Sequence, residues 1–126
     1  MVVIKAPQYI ADSFEEDCRR LGIPEDFVVE VFTYREKREI GSRGGFCKPI
    51  SVDGKKRVVI GIREEGTQGR TLGNFRHTIK HAQQIFTGNR SEFPYDEIAA
   101  YAYEVRRGLE DKFSWIYRKI IAELTL

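Results

Sequence analysis

The sequence of 126 residues predicts a single α+β domain that spans residues 1–126. Two observations lead to this fold class. Three segments rich in β-branched and aromatic residues follow one another between residues 27 and 63, and apolar residues then recur with helical period from residue 71 to residue 124. Strands grouped ahead of helices, rather than alternating with them, favour an α+β arrangement. A chain of this length can bury a core without disulfides or a structural metal.

One helix is predicted ahead of the strands, beginning near Ser13. Ser13 and Glu16 have the spacing of a capping box, in which two side chains satisfy backbone N–H groups at the start of a helix. Gly22 and Pro24 predict its end, because glycine adopts the left-handed conformation after a last helical turn and proline cannot continue the helix. We therefore expect an N-terminal helix that leads into the sheet.

The three strands are predicted at residues 27–34, 46–52 and 56–63. Asp53-Gly54 predicts a tight hairpin between the second and third strands. Pro49 predicts that the second strand is short or lies at an edge, because proline has no N–H to donate to a neighbouring strand. We therefore expect a small three-stranded antiparallel sheet.

Three helices are predicted after the sheet, at residues 71–88, 95–107 and 109–124. Thr71 is predicted to cap the first helix and Gly88 to close it, while Gly108 permits a break between the other two. The last helix is predicted to bury one apolar side, formed by Phe113, Ile116, Tyr117, Ile120, Ile121 and Leu124.

The composition is that of a globular protein, with 41% hydrophobic and 32% charged residues and a formal net charge of +2. No stretch approaches the roughly 18 consecutive apolar residues of a membrane span. Two distant cysteines, Cys18 and Cys47, do not form a disulfide framework, so we expect a reducing, cytoplasmic environment. Residues 35–57 carry eight Lys or Arg against three Asp or Glu, which is typical of a solvated hairpin edge and also suits an acidic partner.

The only two histidines, His77 and His81, are four residues apart within the first of the three predicted helices. This spacing places them on one helix face, with their Cβ atoms roughly 5–6 Å apart. Two imidazoles at this spacing can share one zinc ion. The alternative is a partly buried histidine pair with ordinary hydrogen-bond partners.

A zinc site needs a third protein ligand, and here it must be a carboxylate because no further histidine remains. Glu97 is the best candidate, since a short connection between helices favours antiparallel packing that brings it across from the histidines. Glu104 is a candidate to orient a ligand histidine through its second nitrogen. Tyr101 or Tyr103 is a candidate to donate a hydrogen bond to a developing oxyanion.

The two motif helices resemble those of the gluzincin metallopeptidases, and in particular the small single-domain minigluzincins. The segment from Thr71-Leu72 to His77-x-x-x-His81-Ala82-Gln83-Gln84, followed by Glu97-Ile-Ala-Ala-Tyr101-Ala102, carries this resemblance. It implies a zincin-like fold, zinc bound by His77, His81 and Glu97, and hydrolysis of peptide bonds. It also implies that an extended peptide or unfolded protein segment is laid along a strand edge, at Arg57–Arg63 or at Gly45–Pro49 beside it.

The sequence departs from this family where Thr78 follows the first histidine, because the family has there the glutamate that acts as general base. Losing a positioned general base typically lowers a rate by about 10²–10⁴-fold. Glu104, Glu92 and Asp96 are conceivable substitutes, although none occupies a motif position. We therefore expect a metallopeptidase-related domain with a bound or vestigial metal site and impaired or lost activity.

Two alternative functions use the basic hairpin instead of the histidines. The first is a non-catalytic module that holds a peptide or protein on the sheet edge, and the second, less favoured, is nucleic-acid binding, which salt would weaken steeply. The basic residues concerned are Arg35, Lys37, Arg38, Arg43, Lys48, Lys55, Lys56 and Arg57.

Overall fold

The computed structural model describes residues 2–35, 44–88 and 92–124 and has the α+β architecture expected from the sequence. Its elements are β1 (Val3–Lys5), α1 (Gln8–Leu21), a 3₁₀ turn (Glu25–Phe27), β2 (Val28–Tyr34), β3 (Gly45–Val52), β4 (Lys55–Arg63), α2 (Gln68–Thr87) and α3 (Tyr95–Leu124). Among the described residues, no helix combines the length and the apolar character that crossing a bilayer would require.

The sheet has four strands in the order β1-β2-β4-β3 and is mixed, so the expectation of three antiparallel strands is wrong. β1 pairs with β2 and β2 with β4 in parallel, and only β3 and β4 are antiparallel. β1 contains three residues, too few to show a period in the sequence. β2 pairs with β4 rather than with the next strand, β3, and this crossover makes the pair parallel.

β4 lies inside the sheet, and β3 has a single neighbour among the described strands. Val58, Ile60 and Ile62 of β4 are fully buried, as expected for a strand with neighbours on both sides. Pro49 therefore lies in an edge strand, as its missing N–H predicts. The hairpin at Asp53-Gly54 is confirmed, and both residues have the positive φ of a tight two-residue turn.

The core lies where α1 and α2 meet the sheet. α1 contributes Ile10, Phe14 and Cys18, and α2 contributes Phe75, Ile79, Ala82 and Ile85. These positions recur at intervals of three and four residues, so each helix turns one apolar stripe toward the strands. Consequently the opposite side of α2, which carries the histidines, faces away from the strands and packs against α3.

The helix ends follow the glycines more closely than the predicted caps. Gly22 and Gly88 both end their helices in the left-handed conformation, as expected. α1, however, begins at Gln8 rather than near Ser13, which lies inside the helix and is buried. Thr67 rather than Thr71 caps α2, accepting a hydrogen bond of 3.2 Å from the Arg70 N–H.

α3 is one helix of 30 residues that continues through Gly108, so the predicted break is wrong. Ion pairs from Arg106 and Arg107 to Glu110, at 3.4 and 3.0 Å, connect the residues on either side of the glycine. The predicted burial of the last apolar side is also wrong, because every described residue from 111 to 124 is exposed. α3 packs on α2, and its buried residues among those described, Asp96, Ala100 and Arg107, all lie in its first half.

Candidate metal centre

His77 and His81 lie on the side of α2 that faces α3, one turn apart, with ring centroids 5.0 Å from each other. Glu97 lies in the first turn of α3. Because α2 and α3 are joined by a short connection and pack together, the start of α3 returns beside the middle of α2. The three residues predicted as metal ligands are therefore brought together.

The ligand atoms of these three residues converge on one point. The two histidine Nε2 atoms are 3.3 Å apart. The Glu97 carboxylate lies 3.1 Å from Nε2 of His77 and 2.7 Å from Nε2 of His81. In a tetrahedral zinc site with bonds of 2.0–2.1 Å, neighbouring ligand atoms are about 3.3 Å apart. The group His77, His81 and Glu97 could therefore hold a metal ion.

The site is partly buried but remains open to solvent. The side chains of His77, His81 and Glu97 are 17, 16 and 23% exposed. Burial lowers the pKa of His77, but the carboxylates of Glu104 and Glu97 outweigh it and raise the pKa above its usual value. The concentration of negative charge that favours a proton on His77 also favours a cation between the ligands.

A second layer of side chains contacts the outer nitrogens of the two imidazoles. Gln84 Oε1 lies 2.8 Å from Nδ1 of His81, and the Gln84 amide donates a hydrogen bond of 3.1 Å to the Asp96 carbonyl. Glu104 Oε1 lies 3.3 Å from Nδ1 of His77, which is buried and has no hydrogen bond of good geometry. A ligand histidine held by such a partner keeps one ring orientation and one tautomer.

Gln84 was not singled out from the sequence, although a signal for it exists. Residues three apart on a helix are neighbours, so a glutamine three positions after a candidate ligand histidine lies within reach of its ring. The close approach of Glu104 to His77 also depends on the glycine at position 73 of α2. A Cβ atom on Gly73 would lie 3.0 Å from Glu104 Oε2, so the carboxylate occupies space left by the missing side chain.

The two candidate tyrosines have different surroundings. The Tyr101 ring packs edge-on against His77, with centroids 4.3 Å apart, and is 57% exposed. Tyr103 instead donates a hydrogen bond from its hydroxyl to the buried carboxylate of Asp17 in α1. Tyr101 is therefore the tyrosine that the structure places beside the histidines.

Thr78 is buried between α2 and the edge strand. Its hydroxyl donates a hydrogen bond of 2.8 Å to the Asn74 carbonyl, and a Cβ atom on Gly45 of β3 would lie only 2.5 Å from Thr78 Oγ1. Of the substitute bases considered, Asp96 accepts a hydrogen bond of 2.9 Å from the Glu97 N–H, and Glu92 is exposed. Neither of these two carboxylates occupies the position after His77, which carries Thr78 and no basic group.

A buried ionic network fixes α3 against α1 and α2. Asp17, which is fully buried, accepts hydrogen bonds from Ser13 at 2.5 Å, from Arg107 at 2.9 Å and from Tyr103. Arg76, next to His77 in sequence, lies on another side of α2, where it pairs with Asp111 at 2.7 Å. Its guanidinium charge is therefore directed into this network rather than at the histidines.

Comparison of the chain with protein-family models, with curated proteins and with solved structures finds no match.

Proposed function

We propose that this chain is a gluzincin-type, metallopeptidase-related domain that binds one zinc ion through His77, His81 and Glu97, and that its peptidase activity is impaired or lost. The proposal rests on one observation above all, the convergence of two imidazole Nε2 atoms and one carboxylate at 2.7–3.3 Å from one another. Two imidazoles and one carboxylate are a ligand set that zinc commonly takes in catalytic sites.

Three further residues contact the histidines of such a site. Gln84 is hydrogen-bonded to the outer nitrogen of His81, Glu104 lies 3.3 Å from the outer nitrogen of His77, and the Tyr101 ring packs edge-on against His77. Three protein ligands leave a fourth position open to solvent. A zinc ion bound there would polarise a carbonyl oxygen and lower the pKa of a water molecule to about 7. The residues present therefore fit a metal that acts as a Lewis acid.

Among the described residues, the position after His77 holds no group that can make the proton transfer that peptide hydrolysis also needs. Thr78 has a hydroxyl that already donates to the Asn74 carbonyl, and a hydroxyl is not a base near neutral pH. A zinc ion without a positioned general base would still activate water, but the rate of hydrolysis would be lower by roughly 10²–10⁴-fold. We therefore infer slow hydrolysis at most.

The metal itself is tested by elemental mass spectrometry on protein purified without a histidine tag. We expect about one zinc per chain in the wild type and none in His77→Ala/His81→Ala. Lys80→Ala/Gln83→Ala is the matched control, since it alters the same helix without touching a ligand, and it should keep its zinc. A wild type that takes up no zinc, even after incubation with it, would overturn the proposal.

The relation to peptidases is tested by restoring a carboxylate after the first histidine. We expect Thr78→Glu, once folded and loaded with zinc, to gain measurable hydrolysis of casein, because a general base contributes about 10²–10⁴-fold. Thr78→Gln is the control and should stay inactive, because glutamine has the size of glutamate but no basic carboxylate. If a folded, zinc-loaded Thr78→Glu is no more active than Thr78→Gln, the chain binds metal but is not a silenced peptidase.

The second candidate function is a non-catalytic module that binds a peptide on β3. The observation in its favour is that β3 has one neighbour among the described strands and that exposed Lys48, Lys55 and Lys56 lie on its hairpin. β4, the other strand considered for this role, lies inside the sheet. Arg35 pairs with Glu64 at 2.8 Å, whereas Lys37, Arg38 and Arg43 lie outside the described residues. Binding of an acidic peptide by zinc-free protein would favour this alternative, and salt-sensitive binding of DNA would favour the nucleic-acid alternative.

A further inference from the structure

The second half of α3 carries a stripe of large apolar side chains that are exposed in the part of the chain that the structure describes. At about 100° per residue they share one side of the helix, facing away from the side that carries Ala100, Glu104 and Arg107. The stripe consists of Leu109, Phe113, Ile116, Tyr117, Ile120, Ile121 and Leu124, each between 43 and 77% exposed. We call these seven residues the α3 stripe.

The α3 stripe is large for a surface that stays in water. A large apolar side chain carries roughly 200 Å², so seven that are about half exposed present on the order of 800 Å². The largest apolar patch on a typical monomer covers about 300–600 Å². One partner of a stable protein interface, by contrast, contributes about 800 Å². The exposed area is therefore what a stable interface requires.

The charges beside the stripe indicate which partner fits. Lys112 and Glu123 are exposed, and they flank the stripe on the same side of the helix, three turns apart. In an antiparallel pair of identical helices, the same flank of each helix meets across a two-fold axis. Lys112 of one chain then lies beside Glu123 of the other, and the pairing occurs twice.

The apolar positions are self-complementary in a register that differs from level pairing of Lys112 with Glu123 by only two residues, or about 3 Å along the helix axis. With the two-fold axis between Ile116 and Tyr117, Leu109 faces the Leu124 of the second chain and Phe113 faces its Ile120. The overlap of residues 109–124 is about 24 Å long. The remainder of each protein packs on the other side of its helix, along its first half, so the two bodies lie beyond opposite ends of the overlap.

We propose that this surface binds a second copy of the chain, forming an antiparallel homodimer through residues 109–124. The proposal is independent of the zinc site, because none of the seven residues is a candidate ligand. It explains why α3 extends past the body as a helix, since an isolated helix of this length is marginal in water without a packed face.

The oligomeric state is measured by sedimentation or by light scattering on the purified full chain. At about 100 μM, which exceeds the micromolar upper end of the dissociation constants found for interfaces of this size, the wild type should be a dimer of twice the 14.6 kDa chain mass. Ile116→Glu/Ile120→Glu should dissociate it, with a dissociation constant at least about 100-fold higher, because the carboxylates would be buried without partners. Ala122→Glu adds the same kind of charge on the polar side and should remain dimeric.

The register is tested by reversing the flanking charges. Lys112→Glu should weaken the dimer by about 5-fold or more, since it brings two carboxylates together, and Lys112→Glu/Glu123→Lys should restore it. A wild type that is monomeric at this concentration would overturn the proposal. So would a monomer that binds vesicles of anionic lipid through the same residues, because that outcome would identify a membrane as the partner. A dimer that Ile116→Glu/Ile120→Glu leaves intact would also overturn it.

Discussion

His81 depends on one neighbour for its orientation. Its Nδ1 atom lies 2.8 Å from Gln84 Oε1, and the Gln84 amide is in turn bonded to the backbone of Asp96, beside Glu97. With Oε1 as acceptor, Nδ1 of His81 is the hydrogen-bond donor. In a metal-bound site the Nε2 atom, which lies toward Glu97 and His77, would then have its lone pair for the ion. Gln84 therefore selects the tautomer that can bind a metal, and it ties that choice to the helix that supplies the third ligand.

We predict that Gln84→Leu lowers zinc affinity by about 10–100-fold, the usual effect of losing a residue that orients a ligand histidine. Gln84→Glu should lose less affinity than Gln84→Leu, because a carboxylate accepts the same hydrogen bond from His81 although it cannot donate one to the Asp96 carbonyl. Gln83→Leu is the control, since Gln83 donates instead to the Leu21 carbonyl. Competition against a chromophoric chelator gives the affinities. Equal losses in Gln83→Leu and Gln84→Leu would mean that helix damage, not tautomer selection, weakens binding.

Cys18 illustrates how burial and neighbouring carboxylates control the reactivity of a thiol. Desolvation, together with the nearby carboxylates of Glu25 and Asp17, raises the pKa of this thiol to about 12. A raised pKa means that the folded chain keeps a proton that the unfolded chain releases above about pH 8.5, so Cys18 favours the folded state below that pH and disfavours it increasingly above. The thiol is therefore inert under conditions in which an ordinary cysteine reacts.

We predict that Cys18 in the variant Cys47→Ser, at pH 8.5 and without denaturant, reacts with iodoacetamide at least about 100-fold more slowly than in guanidinium chloride. Mass spectrometry of timed samples measures both rates. The wild type is the control, because the half-buried Cys47 should account for its early labelling. Equal rates in the folded and unfolded chains would contradict the burial of Cys18.

The sequence predicts the ligands of the site better than their surroundings. The helical spacing of His77 and His81 and the short connection to Glu97 are local features, so their convergence follows from helix geometry. Glu104 lies seven residues after Glu97 and therefore on the same face of the helix, so its position beside a candidate ligand histidine also follows from the sequence. The closeness of Gly45 to Thr78 and the hydrogen bond from Tyr103 to Asp17 depend instead on how elements distant in sequence pack. No local pattern encodes such contacts, and for this reason they appear only in the structure.

The same distinction between local features and contacts distant in sequence applies to the helices and strands. Gly22, Gly88 and Asp53-Gly54 mark real boundaries, because their backbone conformations are set by the residues themselves. The parallel pairing of β1, β2 and β4 is set by tertiary contacts, which the local sequence patterns do not predict. Gly108 permits a helix break without requiring one, and the ion pairs to Glu110 keep α3 continuous. A glycine within a helix lowers its stability by about 1 kcal/mol relative to alanine, which tertiary contacts can offset.

At the scale of elements, Asp17 connects all three helices. It lies in α1, accepts hydrogen bonds from Arg107 and Tyr103 of α3, and has the Arg76 guanidinium of α2 at 3.8 Å. Burial and the hydrogen bond to Asp17 raise the pKa of Tyr103, so this tyrosine keeps its proton and remains a donor. The network therefore sets the position of α3, and with it that of Glu97, relative to the two histidines.

We predict that Asp17→Asn destabilises the protein by about 3 kcal/mol, since it removes the fully buried carboxylate that pairs with Arg107 and leaves that guanidinium only the partly exposed Glu16 and Glu110. Asp12→Asn removes a carboxylate from the exposed side of the same helix and should change stability by less than about 0.5 kcal/mol. Urea unfolding followed by circular dichroism measures both values. A loss below about 1 kcal/mol in Asp17→Asn would mean that the network adds little to the packing of α3.

At the scale of the whole molecule, a metal ion would join α2 to α3 at the end of α3 opposite to the stripe. Two ligands belong to one helix and the third to the other. An ion that binds only the folded chain therefore stabilises the entire domain, by about 2.7 kcal/mol when zinc is present at a hundred times its dissociation constant. For a domain of this size that corresponds to a rise in melting temperature of roughly 10 °C.

We predict that zinc raises the melting temperature of the wild type, that a chelator reverses the rise, and that His77→Ala/His81→Ala shows no rise. Differential scanning calorimetry with and without zinc makes the measurement. Ile116→Glu/Ile120→Glu should lose the dimer yet keep the full response to zinc, because the α3 stripe and the ligand set share no residue. The two proposals can therefore fail separately. A zinc response that persists in the double histidine variant would place the metal elsewhere in the chain, while a response lost with the dimer would mean that the second copy helps to build the site.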